Sequence, residues 1–204
     1  MFKIAVLVSG GGTNLQCIID AVNSGYLSGC SIEAVISDRH DVYALERAKK
    51  SNIAAYVFDR KEYKDNISDE ILKLLYGKVD LIVCAGWLSI LKGELINKFE
   101  NRIINIHPSL IPAFCGAGMY GLKVHEKALE YGVKVSGCTV HFVDSGTDSG
   151  PILIQKTAPV YAEDTPKTLQ SRVLEQEHIA LPEAIKLIMQ GKVKVLGRTV
   201  LIEQ

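Results

Sequence analysis

No charge of either sign dominates this chain. Its 204 residues hold 23 Lys and Arg against 23 Asp and Glu, so the formal net charge is zero. No basic cluster or extended basic stretch interrupts that balance, which excludes the electrostatic footprint of a nucleic-acid binder. The five cysteines (Cys17, Cys30, Cys84, Cys115, Cys138) are odd in number and form no C-x-x-C pair. Neither a zinc site nor a disulfide framework is expected from them, and no metal is implied. The apolar opening Met1–Val8 is stopped at once by Ser9-Gly10. That run is too short for a signal peptide or a membrane span, so the expectation is a cytoplasmic protein without membrane contact. Repeats, linkers and low-complexity tracts are also missing, and one compact domain is expected over residues 1–204. A small anionic ligand is not excluded by zero net charge, because backbone amides bind phosphate without bulk positive charge.

What is present is alternation. Apolar runs at Lys3–Val8, Ile32–Ser37, Ala54–Phe58, Leu81–Ala85 and Arg102–Ile106 are separated by amphipathic stretches at Asn14–Asn23, Val42–Ser51, a long segment up to Tyr76, and Gly93–Phe99. Strands alternating with helices at this spacing predict an α/β fold, a mostly parallel twisted sheet with helices on both faces. After Pro112 the pattern changes. A glycine-rich stretch (Gly116, Gly118, Gly121) leads to a short helix ending near Tyr131, and Val135–Val143 and Ile152–Val160 alternate apolar with polar. A long helix, about Pro166 to Met189, precedes a strand pair around Val193–Ile202, so the C-terminal part is expected to contain antiparallel strands.

The chemistry concentrates at Ile104-Asn105-Ile106-His107-Pro108-Ser109-Leu110-Ile111-Pro112. Residues i and i+2 of a strand share a face, so Asn105 and His107 look the same way. Open α/β sheets bind ligands at the carboxyl ends of their strands, where this pair falls. A carboxamide donor beside an imidazole suits acyl transfer, one stabilising an oxyanion while the other moves a proton. A polar pair that merely satisfies the turn is the plainer alternative.

A second feature, Ser9-Gly10-Gly11-Gly12-Thr13-Asn14-Leu15, joins the first strand to the first helix. Consecutive glycines allow close approach of a ligand to the backbone, and the helix N-terminus offers unpaired N–H groups. Together they suit a phosphate. The P-loop lysine is absent, and the dinucleotide pattern G-x-G-x-x-G meets Leu15 at its third glycine. Asp38, after the second strand, stands about where a ribose-binding acid would, so a NAD(P) protein remains a rival reading. A tight turn capped by Thr13 or Asn14 is the plain one.

Of five histidines, His107 alone combines a strand end, a same-face amide and a Pro-locked turn. His40 reads as solvated, His125 as surface, His141 as a satisfied interior group, and His178 as a helix residue that could line a cleft. Asp148, inside Ser145-Gly-Thr-Asp-Ser-Gly150, is the best acidic partner, with Asp144 as its competitor. A carboxylate beside the imidazole is expected to raise its pKa.

In order along nearly the whole chain, Ser9-Gly-Gly-Gly-Thr-Asn-Leu-Gln16, Ala85-Gly-Trp-Leu88, Asn105-Ile-His-Pro-Ser-Leu110, Val140-His-Phe-Val143, Thr147-Asp-Ser-Gly-Pro151 and Gln176-Glu-His178 resemble the folate-dependent formyltransferase family. The glycine loop and Gln-Glu-His narrow the likeness to its glycinamide ribonucleotide branch. The resemblance implies a Rossmann-like formyltransferase fold, with residues 1–100 as a phosphate-binding half and 101–204 as a catalytic and folate-binding half. It implies small-molecule substrates: 10-formyltetrahydrofolate as cosubstrate and a ribonucleotide amine as acceptor. By the resemblance Gly12, Thr13 and Asn14 would hold the phosphate and Glu177 the ribose. Lys61 (or Arg60), Leu88, Ser89, Ile90 and Leu91 would take the folate, together with Asn105. Asn105 would also polarise the formyl carbonyl, with His107 moving the proton and Asp148 tuning it. Asp148 is favoured over Asp144 because it lies seven residues beyond His141. Family members often carry arginine where this chain has Ser89, which puts side-chain contacts there in question. Relatives with an extra C-terminal domain and basic surface for tRNA are not expected of a neutral 204-residue chain, nor those with an N-terminal regulatory domain, since the catalytic pattern here starts at Met1. Monomer or homodimer is left open.

Overall fold

The computed structural model describes residues 1–203. Strands β1 (Phe2–Val8), β2 (Cys30–Ser37), β3 (Ala55–Val57), β4 (Leu81–Cys84) and β5 (Ile103–His107) pair in parallel, β1 with β2 and β4, β2 with β3, and β4 with β5. Strands β6 (Val135–Phe142) and β7 (Ile152–Pro159) form an antiparallel pair. The seven-stranded sheet runs β3-β2-β1-β4-β5-β6-β7, and β8 (Val193–Leu196) with β9 (Thr199–Ile202) makes a separate antiparallel ribbon. The mostly parallel α/β sheet and the antiparallel C-terminal part are as the alternation predicts. The long helical segment before Tyr76 is instead broken into α3 (Arg60–Tyr63), a 3₁₀ turn at Lys64–Asn66 and α4 (Ile67–Leu75).

The chain divides into two compact units. The first is Met1–Asn105 with Val143–Ser145, and the second is Ile106–Phe142 with the residues from Gly146 onward. In the first, Ile4 to Val8 of β1 and Leu81 to Val83 of β4 are completely buried, which is why these strands read as unbroken apolar runs. Helix α1 (Thr13–Asn23) buries Leu15, Ile18 and Ile19, and α2 (Tyr43–Lys50) buries Ala44 and Ala48, the spacing of one helical face. Phe99, just past α5 (Glu94–Lys98), closes an apolar cluster that includes Ile71, Trp87, Leu91 and Leu95.

In the second unit, α6 (Leu122–Tyr131) ends on Gly132 in the left-handed region, φ 80°. Helix α7 (Pro166–Met189) starts at a capping box: Thr165 Oγ1 accepts from Thr168 N at 3.2 Å, and Thr168 Oγ1 accepts from Thr165 N at 2.9 Å. Its buried stripe runs Leu169, Val173, Glu177, Leu181 and Ala184, so one carboxylate sits on an otherwise apolar face.

Candidate active site

The first unit carries the glycine loop. Its loop is held from below by Arg47, whose Nε donates to Gly11 O at 2.9 Å while its guanidinium also donates to Gln16 Oε1 at 2.9 Å. Gly12 is the N-cap of α1, in the left-handed region at φ 70°, and no side chain caps that helix end. A Cβ on Gly12 would lie 2.7 Å from Ala44 Cβ, whereas Cβ atoms on Gly10 and Gly11 would meet nothing within 4 Å. Gly12 is therefore demanded by packing and backbone, and the open side of the loop is at Gly10 and Gly11. Thr13 is exposed and Asn14 is buried on the first turn of the helix. Such an arrangement suits an anion, since first-turn N–H groups lie beyond an accessible backbone.

The same unit carries the segment 88–91. Trp87 and Leu91 are buried in the apolar cluster, while Leu88 is 38% and Ile90 60% exposed. Ser89 and Ile90 line a groove of about 530 Å³ together with Arg60, Lys64, Asp65, Ile67 and Lys92. Arg60 is thus the residue that the structure groups with Ser89 and Ile90; Lys61 is exposed on α3 and is not among the lining residues. Asp38 is completely buried and accepts a hydrogen bond from Ser89 Oγ at 2.6 Å. It does not present a free carboxylate to a ribose, and Leu15 at the third glycine position is buried too. The dinucleotide reading thereby loses the ribose-binding acid that supported it.

Asn105 and His107 both lie on β5, half-buried and buried respectively, two residues apart on one strand face. Around His107 the second unit assembles an imidazole–carboxylate–imidazole group. Asp148 Oδ2 lies 3.5 Å from His107 Nδ1, and Asp148 Oδ1 lies 3.6 Å from His141 Nε2. Gly116 N donates to the same Asp148 Oδ2 at 2.9 Å. The far ring nitrogens are engaged by main-chain carbonyls: His107 Nε2 with Phe114 O at 2.9 Å, His141 Nδ1 with Phe142 O at 2.8 Å. A carbonyl only accepts, so His107 Nε2 and His141 Nδ1 donate to those carbonyls, and Asp148 faces the opposite nitrogen of each ring.

The backbone is bent to make this contact. Asp148 has φ 54° and Phe114 φ 50°, the left-handed region that non-glycine residues occupy rarely. The turn after β5 is tied down by Ser109 Oγ, which donates to Ala113 O at 2.6 Å, and by Thr139 Oγ1, which donates to Ser109 O at 2.6 Å.

Burial, not the carboxylate, dominates the imidazole. Desolvation pushes His107 below its ordinary pKa, and Asp148 and the Phe114 carbonyl offset only part of that. The upward shift expected from the sequence is therefore reversed. Burial also pushes the Asp148 carboxyl upward, but the His141 and His107 rings and the Gly116 N–H outweigh it and hold the group below its ordinary value. Near neutrality the free protein holds a neutral His107 against an ionised Asp148.

The remaining histidines separate clearly. His40 is exposed, 3.7 Å from Asp59. His178 lies on α7, half-buried. His125, expected at the surface, is 1% exposed on α6; burial first, and the neighbouring His107 second, push its pKa down to about 4. His141 is the partnered interior group expected of it, 2% exposed, and its Nε2 also faces Asp148, seven residues further along the chain. Glu177 is buried on α7, and its charge adds to the burial that pushes the Cys138 thiol up to about 12. Among the described residues, no group of three or more His, Cys, Asp or Glu is arranged to hold a metal ion. Among the same residues, no helix is long and apolar enough to cross a membrane.

A carboxamide and an imidazole two residues apart on β5, the imidazole facing a carboxylate, are groups whose chemistry suits acyl-type group transfer. The formyl transferase family profile matches residues 2–185, and the chain belongs to that family. It is 41% identical over 198 residues to phosphoribosylglycinamide formyltransferase of Haemophilus influenzae, covering 96% of this chain and 91% of that one. It is 38% identical to the trifunctional purine biosynthetic protein adenosine-3 of Chironomus tentans, covering 95% of this chain but only 14% of that longer protein. The crystal structure of glycinamide ribonucleotide transformylase 1 from Symbiobacterium toebii superposes with a TM-score of 0.93 at 43% identity, covering 100% of this chain and 95% of that one.

Proposed function

We propose that this enzyme moves the formyl group of 10-formyltetrahydrofolate to the primary amine of a phosphoribosylated glycinamide, a step of purine biosynthesis in the cytoplasm. The observation that carries this reading is the Asp148–His107 pair, 3.5 Å apart, beside Asn105 at the end of β5 in a chain of the formyl transferase family. Likeness to enzymes of that name over nine-tenths of their length supports the choice of substrates.

The chemistry follows from the residues. The neutral amine attacks the formyl carbon, and the carbonyl electrons move onto oxygen. Asn105, as an N–H donor, stabilises the developing oxyanion. A new C–N bond forms to the amine and the bond from carbon to the folate nitrogen breaks. The proton released by the amine goes to the leaving nitrogen. His107, neutral near pH 7, takes that proton at the nitrogen facing Asp148, whose charge stabilises the transient imidazolium before it delivers the proton. The amides of Gly10 to Asn14 receive the phosphate, with Glu177 assigned to the ribose, and segment 88–91 takes the pterin with Arg60 or Lys61 nearby. No step calls on a metal.

A steady-state assay with both substrates, following tetrahydrofolate release and the formylated product by mass, tests the proposal. Stoichiometric appearance of both products is expected. Failure to transfer, together with quenching of Trp87 by NADH rather than by a folate analogue, would overturn it.

A further inference from the structure

The segment 88–92 lies between β4 and α5 and belongs to neither helix nor strand. Its polar groups cannot be satisfied by a ladder, so they need partners from elsewhere. Three buried side chains supply them. Leu88 N donates to Ser9 Oγ at 2.8 Å, Ser89 Oγ donates to Asp38 Oδ2 at 2.6 Å, and Lys92 N donates to Ser68 Oγ at 3.0 Å. Ser9, Asp38 and Ser68 are 4%, 0% and 1% exposed.

Asp38 is the anomalous member. A fully buried carboxylate is expensive unless well partnered, and an asparagine could accept the same hydrogen bond without that cost. Yet Asp38 Oδ1 has no hydrogen bond, and its nearest cation is Arg39 Nε at 3.7 Å. What the charge provides is a short, charge-assisted bond to Ser89. That bond fixes the residue between Leu88 and Ile90, the two apolar side chains that remain exposed while Trp87 and Leu91 are buried.

We propose that Asp38 is a positioning residue for the formyl donor: through Ser89 it holds Leu88 and Ile90 in the arrangement that receives the donor's flat apolar ring. This rests on the reading of segment 88–91 as the donor site. A carboxylate buried for packing alone would show itself in stability; one retained for positioning shows itself in the affinity for one substrate.

The experiment compares wild type with Asp38→Asn, Asp38→Ala, Ser89→Ala and the double alanine variant. It measures KM for each substrate, kcat, thermal midpoint, and quenching of Trp87 by a folate analogue. Asp38→Ala and Ser89→Ala should each raise the donor KM about 10- to 150-fold, the range for loss of one hydrogen bond to a charged group. The ribonucleotide KM and kcat should stay within about threefold, and the double variant should be no worse than the poorer single one. Asp38→Asn should melt no lower than wild type while its donor KM rises. An unchanged donor KM in Ser89→Ala, or multiplicative effects in the double variant, would overturn the proposal, and Ser89→Ala decides even where Asp38→Ala does not fold. Wild-type protein that transfers no formyl group would sink the functional reading instead, and the Trp87 titration would still judge the anchor.

Discussion

Asp148 Oδ2 stands 3.5 Å from His107 Nδ1 and is held there by the Gly116 N–H, 2.9 Å away. Because burial already lowers the His107 pKa, the carboxylate works against desolvation and sets how far the imidazole falls. Asp148→Asn keeps the size and an acceptor for Gly116 but removes the charge. The His107 titration, read by NMR of the ring, should lie below ~6.5 in wild type and lower still in the variant. Catalysis should fall sharply, since the transient imidazolium loses its counter-charge. The attacking amine titrates near ~8, so kcat/KM should climb to a plateau above that pH and not fall again. A bell-shaped profile, or a histidine pKa that does not move in Asp148→Asn, would count against this assignment.

Asn105 shares a strand face with His107, and its assigned task is confined to the tetrahedral oxygen. Asn105→Ala should lower kcat by about 10²–10³, the usual cost of one oxyanion donor. KM for either substrate should change far less, because the donor acts mainly as charge develops. A variant retaining more than a third of the wild-type kcat would remove Asn105 from the mechanism.

The glycine loop gives a prediction that separates folding from binding. Gly12→Ala places a methyl 2.7 Å from Ala44 Cβ at a left-handed φ of 70°. It should destabilise the protein by about 1–2 kcal/mol for the backbone conformation alone, visible as a lower denaturant midpoint. Gly11→Val adds its side chain into open space and should melt like wild type while raising KM for the ribonucleotide at least about tenfold. Equal loss of both substrates in Gly11→Val would show that the loop does not serve the phosphate.

These residues also show what a linear reading can and cannot reach. The parallel strands were legible because β1 and β4 are buried on both faces and so are apolar without interruption. Asn105 and His107 were legible because a strand has a period of two and Pro108 follows. Asp148 was legible from its glycine-flanked loop, and its spacing from His141 set it above Asp144, but the nearness of His141 to Asp148 was not legible because an alternating strand gives every inward residue the same signature. The depressed His107 pKa was missed for another reason. Proximity of a carboxylate can be guessed from a motif, but the desolvation that outweighs it depends on packing contributed by residues far apart in sequence. Asp38 shows the converse: its position after β2 suggested a ligand contact, and only the fold shows that Ser89, fifty-one residues away, takes its carboxylate.

His125 carries the sharpest pH prediction for stability. It is 1% exposed on α6, its Nδ1 has no hydrogen-bond partner, and its pKa falls to about 4 in the folded protein. An unfolded chain protonates this histidine near ~6.5. Between those values the unfolded state binds more protons than the folded one, so stability rises with pH through the window and is lost as pH falls from about 6.5 to 4. The shift of about 2.5 units corresponds to roughly 3 kcal/mol, complete only below the lower value. His125→Phe keeps a ring of similar volume, removes the titration, and no longer buries a polar atom without a partner. Denaturant unfolding at a series of pH values should therefore show wild type and variant converging in slope above pH 7 and separating below 6, with the variant losing less. Parallel pH dependence of the two proteins down to pH 4 would mean that His125 takes up its proton in the folded state as easily as in the unfolded one.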